Sequence, residues 1–150
     1  MSSRICRGVL AAALLAGCSG IKTYPDTLPK NLHLRTTVSK VSAALHVHGV
    51  DASCRSEYQG TVQLDARSVD VGIPAGRPSL LVFTFSRSSF LTGSSSSIRY
   101  DTLLTPRAGY TYEISVSYAD DLYNVAVREM GPRGSPGREI EPRSLSACRS

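Results

Sequence analysis

The sequence predicts an all-β fold, either an antiparallel β-sandwich or a small barrel. Short segments that alternate apolar and polar residues recur about every ten residues along the chain, and clusters of Gly, Pro, Ser and Asp separate them. No window shows the strong periodicity of an amphipathic helix. These observations together indicate roughly six to eight short strands in one domain.

The first half of the chain contains five predicted strands, at residues 32–38, 41–47, 58–65, 68–73 and 79–87. In the first two segments apolar side chains occupy every second position, as in half-buried strands. A helix over residues 38–47 is an alternative because alanine and leucine tolerate it, but the β-branched flanks and Gly49 favour a strand. The segment 79–87 is apolar on both faces, which is typical of a central strand covered on both sides.

The second half contains a predicted loop at 92–97, strands at 110–118 and 123–127, a Gly/Pro loop at 131–138 and a last strand at 140–148. The serine-rich loop has nothing to bury, so we expect it to be mobile. The strand 110–118 has the clearest pattern, since its apolar residues keep strict alternation at Tyr110, Tyr112, Ile114, Val116 and Tyr118. The turn 119–122 then predicts a β-hairpin.

The N-terminus carries a motif that predicts where the protein is located. Arg4 and Arg7 precede a short apolar run, and the run closes with Leu15-Ala16-Gly17-Cys18. A charged segment, a short apolar segment and small residues before a cleavage site are typical of a secretory signal. The motif resembles the lipobox of bacterial lipoproteins, although an ordinary secretory signal could also contain these four residues by chance.

The lipobox resemblance implies a domain organisation: a signal peptide at 1–17, a lipidated tether at 18–31 and a β-sandwich domain at 32–150. Lipid on Cys18 would anchor the chain stably, because two or more acyl chains suffice where one does not. Ser19 in place of Asp points to the outer membrane, with the domain facing the periplasm. The tether is expected because residues 19–31 are polar and contain two prolines.

The cysteines predict one disulfide bond. As the lipobox resemblance implies, Cys6 would leave with the signal peptide and Cys18 would carry the lipid, which leaves Cys54 and Cys148. An even pair in an oxidising compartment most simply forms a disulfide, here between the domain and its C-terminus. A metal site is not expected from these two cysteines, because the chain has no C-x-x-C motif.

Few residues are candidates for metal binding or catalysis, and each of them could instead have a purely structural role. His33, His46 and His48 could together bind a metal ion if their strands pair, or they could be exposed residues of an edge hairpin. Asp120 and Asp121 could bind calcium weakly, or could simply form a turn. Catalytic motifs are absent, so we expect no enzymatic activity and no cofactor. Basic residues are dispersed along the chain, which excludes a nucleic-acid-binding footprint.

Three further resemblances suggest what the domain does. The turn and strand Leu104-x-Pro106-x-x-Gly109-Tyr110-x-Tyr112 resembles the transthyretin-like modules of bacterial lipoproteins. Gly76-Arg77-Pro78 with the later Phe90-Leu91 faintly resembles the small lipoprotein of type VI secretion assemblies. The pair Cys54 and Cys148 is similar to the disulfide of lysozyme-inhibiting lipoproteins. We therefore expect a non-catalytic structural or protein-binding module of the cell envelope, with a periplasmic inhibitor or a secretion-system lipoprotein as alternatives.

Overall fold

The computed structural model describes residues 20–89 and 91–149, which form a β-sandwich. The predicted leader at 1–17 and Cys18 lie outside these residues. The strands are β1 (Leu32–Val38), β2 (Ser42–Val50), β3 (Ser56–Gln63), β4 (Ser68–Val71), β5 (Ser79–Ser88), β6 (Ser95–Leu104), β7 (Thr111–Ala119), β8 (Leu122–Met130) and β9 (Arg138–Ile140). Short 3₁₀ turns occupy Pro132–Gly134 and Leu145–Arg149.

Two sheets pack face to face. The five-stranded sheet has the order β4-β1-β7-β8-β9, and the four-stranded sheet has the order β3-β2-β5-β6. All pairings are antiparallel except that of β1 with β7, which is parallel. The all-β sandwich predicted from the sequence is therefore confirmed, with one parallel pair that the alternation pattern could not indicate.

The core lies between the sheets and is built from the predicted inward positions. Leu45 and Val47 of β2, Phe83 of β5 and Ile114 of β7 are all fully buried. The interior strand β5 is buried on both faces, as its sequence predicted. Residues 38–47 form no helix, because β2 is hydrogen-bonded on both sides by β3 and β5.

Two predicted elements at the C-terminal side of β5 need correction. Residues 95–97, expected in a mobile loop, are the first residues of β6 and pair with Ser86–Ser88 of β5. Residues 140–148, expected as a strand, contain only the end of β9 and then turn into the 3₁₀ helix Leu145–Arg149. Residues 95–97 are ordered by backbone pairing across the short β5–β6 connection, and the C-terminal residues by the bond from Leu103 to Arg143 and by the disulfide. Neither kind of contact shows in side-chain alternation.

The segment expected to be a tether also differs from prediction. Tyr24 is 8% exposed and belongs to the core, and its amide donates to the carbonyl of Thr61 on β3. Asn31 donates to the carbonyl of Ile73 and accepts from its amide. Residues 22–31, which we call the docked segment, are therefore attached to the folded domain, because Lys22, Tyr24 and Asn31 have partners there.

Candidate functional site

The outer face of the four-stranded sheet carries a connected group of polar and aromatic side chains. We call this group the histidine patch and define it as His46, His48, Tyr58, Thr61, Thr84 and Arg99. The patch spans all four strands, because His46 and His48 lie on β2 and their neighbours lie on β3, β5 and β6. On β2, alternation places His46 and His48 outward, opposite the core-facing Leu45 and Val47. A register shift in the pairing with β3 brings Tyr58 and Thr61 to the same face.

The imidazole of His46 is held in place by hydrogen bonds at both ring nitrogens. Its Nδ1 lies 2.7 Å from Oγ1 of Thr61, and its Nε2 lies 3.0 Å from Oγ1 of Thr84. A threonine hydroxyl can donate or accept, so a neutral ring that has one donor and one acceptor nitrogen is fully satisfied. The strands on both sides of β2 therefore fix this ring in a single orientation.

Tyr58 extends the network toward the N-terminal side of the domain. Its hydroxyl lies 2.6 Å from Oγ1 of Thr61 and donates to the carbonyl of Lys22 at 3.2 Å. Its ring centroid lies 5.4 Å from that of His48 and 6.3 Å from that of His46. Tyr58 is nevertheless 38% exposed, so one face of this ordered cluster remains accessible to a partner.

The electrostatics of the patch favour neutral histidines beside one permanent cation. Burial, followed by the nearby Arg99 guanidinium, lowers the pKa of His46 below its ordinary value. Burial, Arg99 and His46 lower the pKa of His48 in the same way. At neutral pH the patch therefore offers imidazole and phenol hydrogen-bonding groups and the positive charge of Arg99. These groups can bind a partner, but the patch lacks an activated nucleophile.

The structure separates the three histidines that the sequence singled out. His33 lies on β1 in the other sheet, where its Nδ1 is 2.7 Å from Oδ1 of Asp70 on β4. The metal hypothesis required β1 to pair beside β2, and the short connection between them crosses from one sheet to the other instead. His46 and His48 are also not on an edge hairpin, because β2 is an interior strand. Within the described residues no three potential ligands cluster.

Asp120 and Asp121 form the two-residue turn of the β7–β8 hairpin, both with positive φ. The carboxylate of Asp121 accepts a hydrogen bond from the Tyr118 hydroxyl at 3.2 Å. It also lies 3.8 Å from Nη1 of Arg87, whose charge opposes a second cation there. The geometry therefore matches the turn-forming role and offers no set of oxygen ligands converging on calcium.

A second polar centre was missed by the sequence reasoning. Glu129 of β8 is 6% exposed and receives hydrogen bonds from Tyr112, Arg107 and Arg138. It lines a cleft of about 540 Å³ between the β6 and β9 edges. The sequence pattern could have revealed this buried carboxylate, because Glu129 continues the inward alternation of Val125 and Val127.

The C-terminal segment, residues 141–149, lies on the outer face of the four-stranded sheet. It covers the part of that face beside the histidine patch. Leu145 and Cys148 pack on a separate apolar cluster formed by Val50, Leu80, Val82 and Leu103. The amide of Leu103 donates to the carbonyl of Arg143 at 2.6 Å. The predicted disulfide between Cys54 and Cys148 is present and fastens this segment to the β2–β3 loop.

Comparisons with known proteins add no assignment. No protein family matches this chain, and no curated protein or solved structure is detectably similar to it. Among the described residues no helix is long and apolar enough to cross a membrane. The candidate site therefore rests on its own geometry.

Proposed function

We propose that this protein is a lipoprotein of the bacterial outer membrane, anchored through Cys18 and facing the periplasm, whose β-sandwich binds another envelope protein without catalysis. The observation that carries the binding role is the histidine patch, an ordered and accessible group of aromatic and cationic side chains on a rigid sheet. Tyrosine and arginine are enriched among the residues that contribute most to protein–protein affinity.

The disulfide and the N-terminal motif support the envelope location. A disulfide between Cys54 and Cys148 is the state expected in an oxidising compartment such as the periplasm. The sequence Leu15-Ala16-Gly17-Cys18 resembles a lipobox and follows a charged and apolar leader. Both features are expected of a chain that is exported and then lipidated.

Metabolic labelling tests the anchor. Cells expressing the wild-type chain or Cys18→Ala are grown with a clickable palmitate analogue, and label on the purified protein is measured. We expect label on the wild type only, with the variant released from the membrane fraction. Equal absence of label from both chains would overturn the anchor and leave a secreted protein without lipid.

Crosslinking tests the binding surface. We expect Arg99→Ala and Tyr58→Ala to lose a crosslinked envelope partner that the wild type captures in intact cells. Arg35→Ala is the matched control, because Arg35 is an exposed arginine on β1 of the other sheet. If all three variants captured the partner as efficiently as the wild type, the histidine patch would be excluded as the binding surface.

One observation favours a second candidate, a lysozyme-type inhibitor. The disulfide joins Cys54 to a cysteine at the C-terminal end, which is similar to the pairing in inhibitor lipoproteins. The loop typical of those inhibitors has only a loose counterpart at residues 89–100. Lysis assays with the purified domain separate the two functions, because an inhibitor slows lysozyme and a scaffold leaves its rate unchanged.

A further inference from the structure

The docked segment joins the sandwich at the outer edge of β3. The amide of Thr61 donates to the carbonyl of Lys22 at 2.8 Å, and the amide of Tyr24 donates to the carbonyl of Thr61 at 3.0 Å. The Tyr24 hydroxyl then donates to the carbonyl of Gly72, just beyond β4, at 3.0 Å. The segment therefore bridges the β3 edge of one sheet and the β4 edge of the other.

Two glycines allow the segment to lie against the backbone. A Cβ on Gly60 would approach Cα of Tyr24 to 2.5 Å, and a Cβ on Gly72 would approach the carbonyl oxygen of Leu28 to 2.4 Å. Contacts this close leave no room for a side chain at either glycine. The segment is thus packed into the domain at both edges, and its position is part of the fold.

This packing leaves very little chain to act as a tether. The lipid-bearing residue would be Cys18, and the first hydrogen-bonded residue of the described part of the chain is Lys22. A fully extended chain spans at most about 3.3–3.6 Å per residue, so these four steps reach roughly 14 Å. A sandwich anchored at Cys18 therefore keeps Thr61, where the segment joins the β3 edge, close to the lipidated residue.

We infer that the edge formed by β3, β4 and the docked segment faces the lipid headgroups, so that the partner of this surface is the bilayer itself. This inference rests on the proposed lipid anchor. The opposite edge, formed by β6 and β9, then points away from the membrane. Neighbouring strands are about 4.8 Å apart, which places β6 about 14 Å farther from the anchoring edge than β3 is.

The orientation also defines where the histidine patch is presented. Tyr58 of the patch donates a hydrogen bond to the carbonyl of Lys22, so one end of the patch lies beside the start of the docked segment, next to the proposed anchor. The other end, at Arg99 on β6, is three strands away. A protein that binds this patch therefore meets it beside the bilayer surface.

Fluorescence quenching in vesicles tests the orientation. The full lipidated chain is placed in vesicles of phosphatidylethanolamine and phosphatidylglycerol that contain a headgroup-attached quencher. One fluorophore is attached at Lys22→Cys, where only the backbone makes the docking contacts, and another at Ser96→Cys, an exposed position on β6. Quenching of the Lys22 label is expected to be several-fold stronger than quenching of the Ser96 label.

A longer tether is the matched control. Inserting about 20 Gly/Ser residues between Gly20 and Ile21 adds a root-mean-square reach of about 25 Å and should abolish the difference between the two labels. Equal quenching of both labels in the wild-type background, in protein whose acyl chains are verified by mass spectrometry, would overturn the orientation while the anchor stands. Absence of acyl chains would overturn the anchor and the orientation together.

Discussion

At the scale of single residues, Glu129 illustrates how a buried charge is tolerated in this sandwich. Burial by itself raises the pKa of a carboxyl group, because it disfavours the charged form. The Tyr112 hydroxyl at 2.9 Å, together with Arg107 and Arg138, outweighs burial and lowers the pKa of Glu129 below its ordinary value. Both guanidinium groups remain largely exposed, so only the carboxylate loses its solvent.

Replacing this carboxylate should therefore destabilise the domain in a pH-dependent way. We expect Glu129→Gln to lower the free energy of unfolding at neutral pH by about 1.5–3 kcal/mol, the range for hydrogen bonds to charged groups. Because the folded-state pKa is lowered, the contribution is present above the unfolded pKa and disappears as the pH falls through the folded pKa. Urea unfolding from neutral pH into the acid range measures this change.

The control for this prediction is Glu113→Gln on β7, whose side chain lies outside the Glu129 cluster. We expect a change within about 0.5 kcal/mol there, as for most surface substitutions. A difference between wild type and Glu129→Gln that grew as the pH fell would contradict the assignment.

At the scale of single elements, the hairpins show how backbone conformation and turn residues combine. The β7–β8 hairpin pairs Ala119 with Leu122 across a two-residue turn. Asp120 and Asp121 have φ values of 50° and 60°, the left-handed conformation that a type I′ turn requires. Aspartate tolerates this conformation, but Asn-Gly is the preferred sequence for it.

The double variant Asp120→Asn/Asp121→Gly should consequently be more stable than the wild type. We expect a gain of about 0.5–1 kcal/mol, since glycine removes the strain of positive φ. The variant gives up a part-buried hydrogen bond from Tyr118 to Asp121 and the exposed 3.8 Å contact of Asp121 with Arg87, of which the exposed contact contributes little. Thermal unfolding measures the gain, and a lowered midpoint would mean that those two contacts matter more than the turn.

The docked segment gives a second prediction at this scale. Gly60→Ala should displace the segment from β3, because the added Cβ would overlap the Tyr24 backbone. We expect trypsin to cut after Lys22 and Lys30 several-fold faster in this variant than in the wild type. The cleavage rate under native conditions measures how often the segment leaves the edge.

Gly76→Ala separates displacement of the segment from backbone strain. Gly76 also has positive φ, 73°, but its added Cβ meets nothing within 4 Å. This variant should lose stability without faster cleavage at the docked segment. Equal cleavage rates in the two variants would show that strain, and not contact with Tyr24, controls the segment.

At the scale of the whole molecule, the C-terminal segment joins the two sheets covalently. The chain leaves β9 of the five-stranded sheet, crosses to the outer face of the four-stranded sheet and ends at the disulfide with Cys54. A sequence separation of 94 residues makes this a large closed loop, whose cross-link restricts the unfolded chain strongly. The same link keeps Leu145 over the apolar cluster around Leu80 and Val82.

Removing the disulfide should therefore have two separable effects. The double variant Cys54→Ala/Cys148→Ala is expected to lose about 2–5 kcal/mol of unfolding free energy. It should also expose the cluster at Leu80, which binding of a hydrophobic dye reports. Leu145→Ala is the comparison, because it weakens the packing while it keeps the cross-link. Unchanged stability of the double variant would show that packing alone holds the segment.

The pattern of amino acids was enough to predict the class of fold and its clearest parts. Strict alternation along β7 predicted its buried face, and the apolar run in β5 predicted a strand covered on both sides. The pairing of Cys54 with Cys148 was predicted once Cys6 was assigned to the expected leader and Cys18 to the expected lipid anchor, and the disulfide is present. The strand features can be predicted from sequence because side-chain direction, and with it burial, repeats locally with a period of two along a strand.

Which strands are neighbours and which side chains meet depends on packing in three dimensions. β1 and β2 are consecutive but lie in different sheets, so His33 is separated from His46. The first serines of β6 are ordered by backbone bonds to β5, and residues 22–31 by contacts with Thr61 and Gly72. Such pairings depend on backbone groups that every residue carries, so the local sequence gives no sign of them.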